Sequence, residues 1–202
     1  MAAYAIATGA GCHAARAAAE LAAAGAPALL SIGLAGGLAV ELAAGAAVLA
    51  SEVIASDGER FACDPAWRRS LGAALGGRAC EAPLAGADRP VAEPAAKRAL
   101  AVQSGAFAVD TESHHVARVA VESGLRFAAL RIVIDGVDDR VPQTALSAYG
   151  ADGRVRFRAL VSGLVARPLD LPALLRLGRR SRLALARLSG VGRLGVRLGP
   201  PL

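Results

Sequence analysis

Residues 113–135 read SHHVARVAVESGLRFAALRIVID, a helix and a strand separated by one stop. Val116, Val119 and Ala120 recur at helical spacing, which predicts one apolar helix face. Gly124 ends that helix, because glycine enters the left-handed conformation of a helix terminus at little cost. Phe127 to Ile134 then run almost without a polar break, rich in β-branched residues, and predict a buried strand closed by Asp135. Moving outward, the same alternation recurs. A strand leading into a glycine turn is expected at 4–11, an alanine-rich helix up to Ala24, and a strand over ALLSIGL ending in a glycine-rich loop, GLAGGL (33–38). A strand is expected at 46–56, a polar loop at 57–65, a helix at 65–75, and irregular chain with one short strand at 76–94. A helix at 94–105 and a strand at 106–112 lead back to the opening stretch. Strands separated by helices of this length predict an α/β domain, with a mixed, mostly parallel central sheet flanked by helices. In such sheets ligands gather at the carboxyl ends of strands, and Gly36, Glu112 and Asp135 each stand just beyond one.

Composition bounds the rest. In 202 residues, 54% are hydrophobic and 3% aromatic, so the core must be packed from Ala, Val and Leu. Cys12, Cys63 and Cys80 are odd in number and irregular in spacing, which suits a reducing cytoplasm and no disulfide framework. No Cys, His and Asp set has metal-ligand spacing, so no metal or other cofactor is expected. Residues 21–40 lack charge, but Gly25, Pro27 and the later glycines break any spanning helix. No basic region precedes the N-terminal apolar stretch, so no secretory signal is expected. Charge is segregated: 12 Lys/Arg face 16 Asp/Glu in 1–153, whereas 11 Arg face one Asp in 154–202. The expected organisation is an α/β domain over 1–165 and a basic amphipathic helical tail over 166–202.

The cluster VDTESHH (109–115) concentrates polar groups in an apolar chain. Helix capping accounts for one or two of them, since an N-terminus attracts Ser, Thr and carboxylates. Strand alternation puts Arg131, Val133 and Asp135 on one face, where an unpaired charge is costly. A structural Arg131–Asp135 ion pair and a functional pair are both consistent with that pattern.

Three stretches, SIGLAGGLAVELAAGAAVLASEV, AVDTESHHVARVAVESGL and ALRIVIDGVDD, together resemble the purine nucleoside phosphorylase and methylthioadenosine nucleosidase superfamily. The resemblance implies a three-layer phosphorylase-type fold and cleavage of the N-glycosidic bond of a nucleoside. It implies that Asp135 hydrogen-bonds or protonates N7 of the leaving purine, that Glu112 binds the ribose hydroxyls, and that Arg131 helps hold the nucleophile. Ala35, Gly36 and Gly37 would lie along the nucleoside and Thr111 beneath the ribose, where the family carries Met. Gly9 and Arg131 would face inorganic phosphate or water, the co-substrate. Leu34 replaces a nucleophile-binding Ser or Thr. ATGAGCHAARAAAEL is similar to the family's second strand and helix, so either a first strand is lost from the start or the nucleophile site is incomplete. His13 stands in the glycine turn, as a cap or a phosphate contact. His114 and His115, adjacent on a helix, should diverge by about 100° and not share a ligand.

ESHHVARVA and the tail ARPLDLPALLRLGRRSRLALARL resemble the hopanoid-associated branch, which removes adenine from adenosylhopane. That narrower likeness implies an adenine nucleoside substrate, in this branch a lipid-linked one. A methylthioadenosine or adenosylhomocysteine nucleosidase, a purine nucleoside phosphorylase, and a degenerate nucleoside- or membrane-binding relative are the alternatives. Leu171, Leu174, Leu175 and Leu185 fall near one face of the tail, interrupted by Gly178. Either a helix docks there with its arginines solvated, or the segment lies on an anionic membrane; nucleic acid is disfavoured because aromatic interleaving is missing. A homo-oligomer in the cytoplasm is the expected setting, either free or, if the tail lies on a membrane, at its inner face.

Overall fold

A computed structural model describes Gly11, residues 13–148 and residues 156–201, with the side chains of residues 196 and 197 excepted. The strand expected at 4–10, including Gly9, lies outside the described residues. The expected helix–strand unit is present as α4 (Ser113–Glu122) and β6 (Arg126–Asp135), with Gly124 between them at φ 64°. β6 is buried continuously from Phe127 to Val133. Such burial on both faces is the reason its sequence does not alternate.

The other strands are β1 (Ala28–Gly37), β2 (Ala47–Ile54), β3 (Arg60–Ala62), β4 (Ala79–Gly86) and β5 (Ala108–Asp110). They form one sheet in the order β3-β2-β4-β5-β1-β6, and a β2–β6 pairing closes it into a ring. The long ladders β1–β6 and β2–β4 are parallel, as is β4–β5; β1–β5, β2–β3 and β2–β6 are antiparallel. Helices α1 (His13–Ala23), α2 (Pro65–Ala74), α3 (Pro94–Ser104) and α4 accompany the strands. The loop expected at 57–65 contains the short strand β3, which pairs with the second half of β2. The irregular stretch expected at 76–94 contains an eight-residue strand, β4, despite Pro83.

The glycine-rich loop expected at 33–38 is instead the end of β1. A side chain at Gly37 would place its Cβ 3.1 Å from the Asp135 carbonyl oxygen and 3.3 Å from Val133 Cγ1. At Gly33 the Cβ would sit 3.3 Å from an Arg131 guanidinium nitrogen. These glycines therefore make room for β6, rather than bending the chain.

After the short α5 (Gln143–Ala148), α6 (Phe157–Ala166) packs against α5, and the tail docks on the sheet through α7 (Leu171–Gly192). α7 runs unbroken through Gly178 and buries Ala184 and Val191 beside Leu130, Ile132 and Trp67. Trp67 Nε1 donates to the Leu198 carbonyl at 2.8 Å, and Arg126 Nη1 to that of Pro201 at 2.7 Å. Of the predicted leucine stripe, Leu174 is half-buried, whereas Leu171, Leu175 and Leu185 remain exposed, so the stripe is not the main docking face. Leu188, half-buried, packs beside Ala184 and Val191.

Two glycine substitutions separate these situations. Gly37→Ala meets backbone and should destabilise the fold by about 1–3 kcal/mol. Gly178→Ala meets nothing within 4 Å in mid-helix and should stabilise it by about 0.5–1 kcal/mol. Urea unfolding of both variants checks the opposite signs.

Candidate active site

Arg131 is almost fully buried, and its charge needs partners. It lies on β6 beside Gly33 of β1, with Asp110 of β5 on the far side of β1. Because Gly33 carries no side chain, the guanidinium passes over β1. Its Nε donates to Asp110 Oδ2 and its Nη2 to Ser31 Oγ at 2.7 Å. Asp110 also accepts from the backbone N–H of Ser113 and, at 2.7 Å, from its hydroxyl. One carboxylate thus neutralises the arginine and caps α4. All four residues are buried. The Arg131–Asp135 ion pair considered from strand alternation is not formed, because Asp110 takes the guanidinium across the gap at Gly33.

Asp135 has a different partner. The Nζ of Lys97, a residue with no exposed surface on α3, donates to Asp135 Oδ2 and to the carbonyls of Gly136 at 2.8 Å and Asp139 at 2.9 Å. Its three donors are thereby matched by three acceptors. Among the described residues Oδ2 takes the hydrogen bond and Oδ1 takes none. Burial pushes the Asp135 carboxyl above the usual carboxylate range, and the Lys97 ammonium pulls it part of the way back. The loop after Asp135 is fixed in turn: Asp139 Oδ2 accepts from Gly136 N at 2.7 Å and from Arg180 of α7. Sequence reasoning missed Lys97. The signal was available, since it is the only lysine among 23 basic residues.

Asp135 pairs in register with Gly36, whose other neighbour is Val109 of β5. Ala35, Gly36 and Gly37 therefore do adjoin Asp135, with Ala35 and Gly37 buried. β5 runs antiparallel to β1, with Val109 opposite Gly36, and Glu112 follows it at the start of α4. Gly36 lies inside β1 and Asp135 closes β6, so neither stands beyond its strand as expected, whereas Glu112 does follow the end of β5. Glu112 Oε1 accepts from the Gly11 amide at 3.0 Å and from the hydroxyl of Thr111. His13 is exposed at the start of α1. A cleft of about 270 Å³ borders Gly136, Val137, Asp139 and Arg180; neither it nor the larger groove beside α7 is lined by Asp135 or Glu112.

The histidines do not diverge as helical spacing predicts. At the first turn of α4 their ring centroids lie 3.9 Å apart, tilted by 37°. His114 is buried, with Nε2 3.3 Å from Asp88 Oδ1. His115 is held below the usual histidine range, first by burial and then by His114. Cys63 is buried in the core, its thiol pushed up to about 12.

The sequence profile of the phosphorylase superfamily matches residues 2–166. No curated protein matches the sequence. Among solved structures, the chain is similar to a Helicobacter pylori methylthioadenosine/adenosylhomocysteine nucleosidase at 16% identity and TM-score 0.64, over 92% of this chain and 77% of that one. It is similar to Helicobacter pylori futalosine hydrolase at 18% identity and TM-score 0.62, over 79% and 76%. For a Weissella paramesenteroides protein, at 21% identity and TM-score 0.58, the likeness spans 61% of this chain and 64% of that one. At such identities the likeness is one of fold. The profile match is one of sequence and runs from the N-terminus to the end of α6: the chain belongs to the phosphorylase superfamily.

Proposed function

We propose that the chain cleaves the N-glycosidic bond of an adenine nucleoside, with Asp135 as the general acid. The observation that supports this reading most is the Asp135 carboxyl: buried, shifted toward its protonated form, and held by Lys97 through one oxygen only. A proton on Oδ1 would pass to N7 of the base as the C1′–N9 bond breaks and its electron pair moves onto the purine. Water or phosphate would then add to C1′. Glu112 would bind the ribose hydroxyls and offset the positive charge developing on the sugar. Arg131 would serve this step by fixing Asp110 and the start of α4, directly behind Glu112. The relatives of similar fold include nucleosidases acting on methylthioadenosine and adenosylhomocysteine, which supports an adenine leaving group. The sequence resemblance to the hopanoid-associated branch supports adenosylhopane as the preferred substrate.

A lipid-linked substrate calls for a membrane-facing surface. Phe157, Val165 and Leu169 are 73%, 80% and 93% exposed, close in sequence to Arg158, Arg167 and Arg176, also exposed. Among the described residues no helix is long and apolar enough to cross a membrane. Contact would therefore be peripheral, through inserted apolar tips and arginines at anionic headgroups. Sedimentation with vesicles checks this: anionic vesicles should retain the protein in a salt-sensitive way and Phe157→Ser should weaken it, whereas equal binding to neutral vesicles, or none, contradicts it.

Adenine release from adenosylhopane, methylthioadenosine and adenosylhomocysteine, with and without phosphate, tests the reaction itself. Asp135→Asn should lower kcat by about 10²–10⁴-fold and leave KM nearly unchanged. The acid must be protonated, so activity should fall as pH rises through the raised pKa of Asp135. Lys97→Met removes the charge that holds that pKa down, and should move the alkaline limb to higher pH. Turnover of methylthioadenosine alone would contradict the lipid-linked substrate, and no adenine from any nucleoside would leave a binding protein.

A further inference from the structure

We infer that Asp88, His114 and His115 form a three-ligand site for a zinc-class divalent cation. One ligand atom from each side chain falls within 4.8 Å of the others. His114 Nε2 and Asp88 Oδ1 are 3.3 Å apart, which is close to the separation of two ligands about 2.0–2.1 Å from one tetrahedral zinc. Neighbouring helix residues point about 100° apart, yet these two rings are brought together, with centroids 3.9 Å apart and planes tilted by 37°.

Two further features build the site. His114 is held in place by Gly86: a Cβ there would stand 2.5 Å from His114 Cβ, so only glycine lets the ring lie against β4. The ring is 2% exposed, and of its two nitrogens only Nε2 has a partner, Asp88; Nδ1 lies against Gly86 without one. Asp88 is oriented by Ser56, whose hydroxyl donates to Oδ2 at 2.7 Å and leaves Oδ1 toward the histidine. Support of a ligating carboxylate by a second hydrogen bond is usual in metal sites. Two imidazoles and a carboxylate suit Zn²⁺ or Co²⁺ and not Mg²⁺. The exposed side chain of Asp88 leaves a coordination position open to solvent. A cation here would fix the first turn of α4, immediately after Glu112.

Tag-free protein titrated with Zn²⁺ by calorimetry, and with Co²⁺ by visible absorption, tests the site without reference to catalysis. One equivalent of Zn²⁺ should bind, Co²⁺ should develop the absorption of a low-coordinate site, and Mg²⁺ should not compete. Since His114 is buried, its replacement risks unfolding. The test therefore uses Asp88→Asn and His115→Ala, each expected to weaken binding by more than about tenfold, with unchanged melting in the absence of metal. Absence of binding, or binding that both variants retain in full, as a cysteine or His13 site would give, overturns the inference.

Discussion

The structure depends on where the buried guanidinium of Arg131 finds its counter-charge. A cation in the middle of a closed sheet is costly unless paired and hydrogen-bonded. The nearest suitable carboxylate, Asp110, lies two strands away, so the strand between must carry no side chain at the crossing. Gly33 meets that requirement, with Ser31 supplying a further acceptor. Because Asp110 also caps α4, the same contact fixes where the helix begins and where Glu112 stands. A packing constraint in β1 is thereby converted into the position of the residue proposed to bind the ribose.

Asp135 is governed by a separate centre, and the separation matters chemically. An arginine paired to Asp135 would hold both carboxylate oxygens and stabilise the anion. A lysine leaves one oxygen without such a bond, and burial then favours the proton. Lys97 also grips the carbonyls of the following loop, and Arg180 of α7 reaches Asp139 in that loop. The C-terminal helix is thus mechanically tied to the residue proposed as the acid. Loss of the tail would be felt at Asp135 and not only at the surface.

Much of the fold was legible because local signals agreed with it. The α4–β6 unit carries helical spacing, a glycine stop and an apolar run, and all three hold. The glycines of β1 misled because close approach and turning leave the same mark in a sequence. β4 was under-read because Pro83 and flanking glycines suggest loop, although its pairing partners tolerate the proline. The charge partners were not legible: strand alternation placed Arg131 and Asp135 on one face, but only sheet order reveals that Asp110 lies across Gly33. The histidine pair failed for a related reason, since helical divergence describes Cα–Cβ directions and not where two long rings meet at a first turn. Lys97 shows the reverse case, a solitary lysine whose role needed three dimensions although its rarity did not.

The pairing of Arg131 is the claim on which the rest turns, and a pair of double-mutant cycles measures it. Unfolding free energies are needed for Arg131→Met, Asp110→Asn and Asp135→Asn, and for the two doubles containing Arg131→Met. Arg131 and Asp110 should show a coupling above about 1 kcal/mol, because each single change strands a buried charge. Arg131 and Asp135 should be additive within about 0.5 kcal/mol. Strong coupling between Arg131 and Asp135, with additivity between Arg131 and Asp110, would contradict the account.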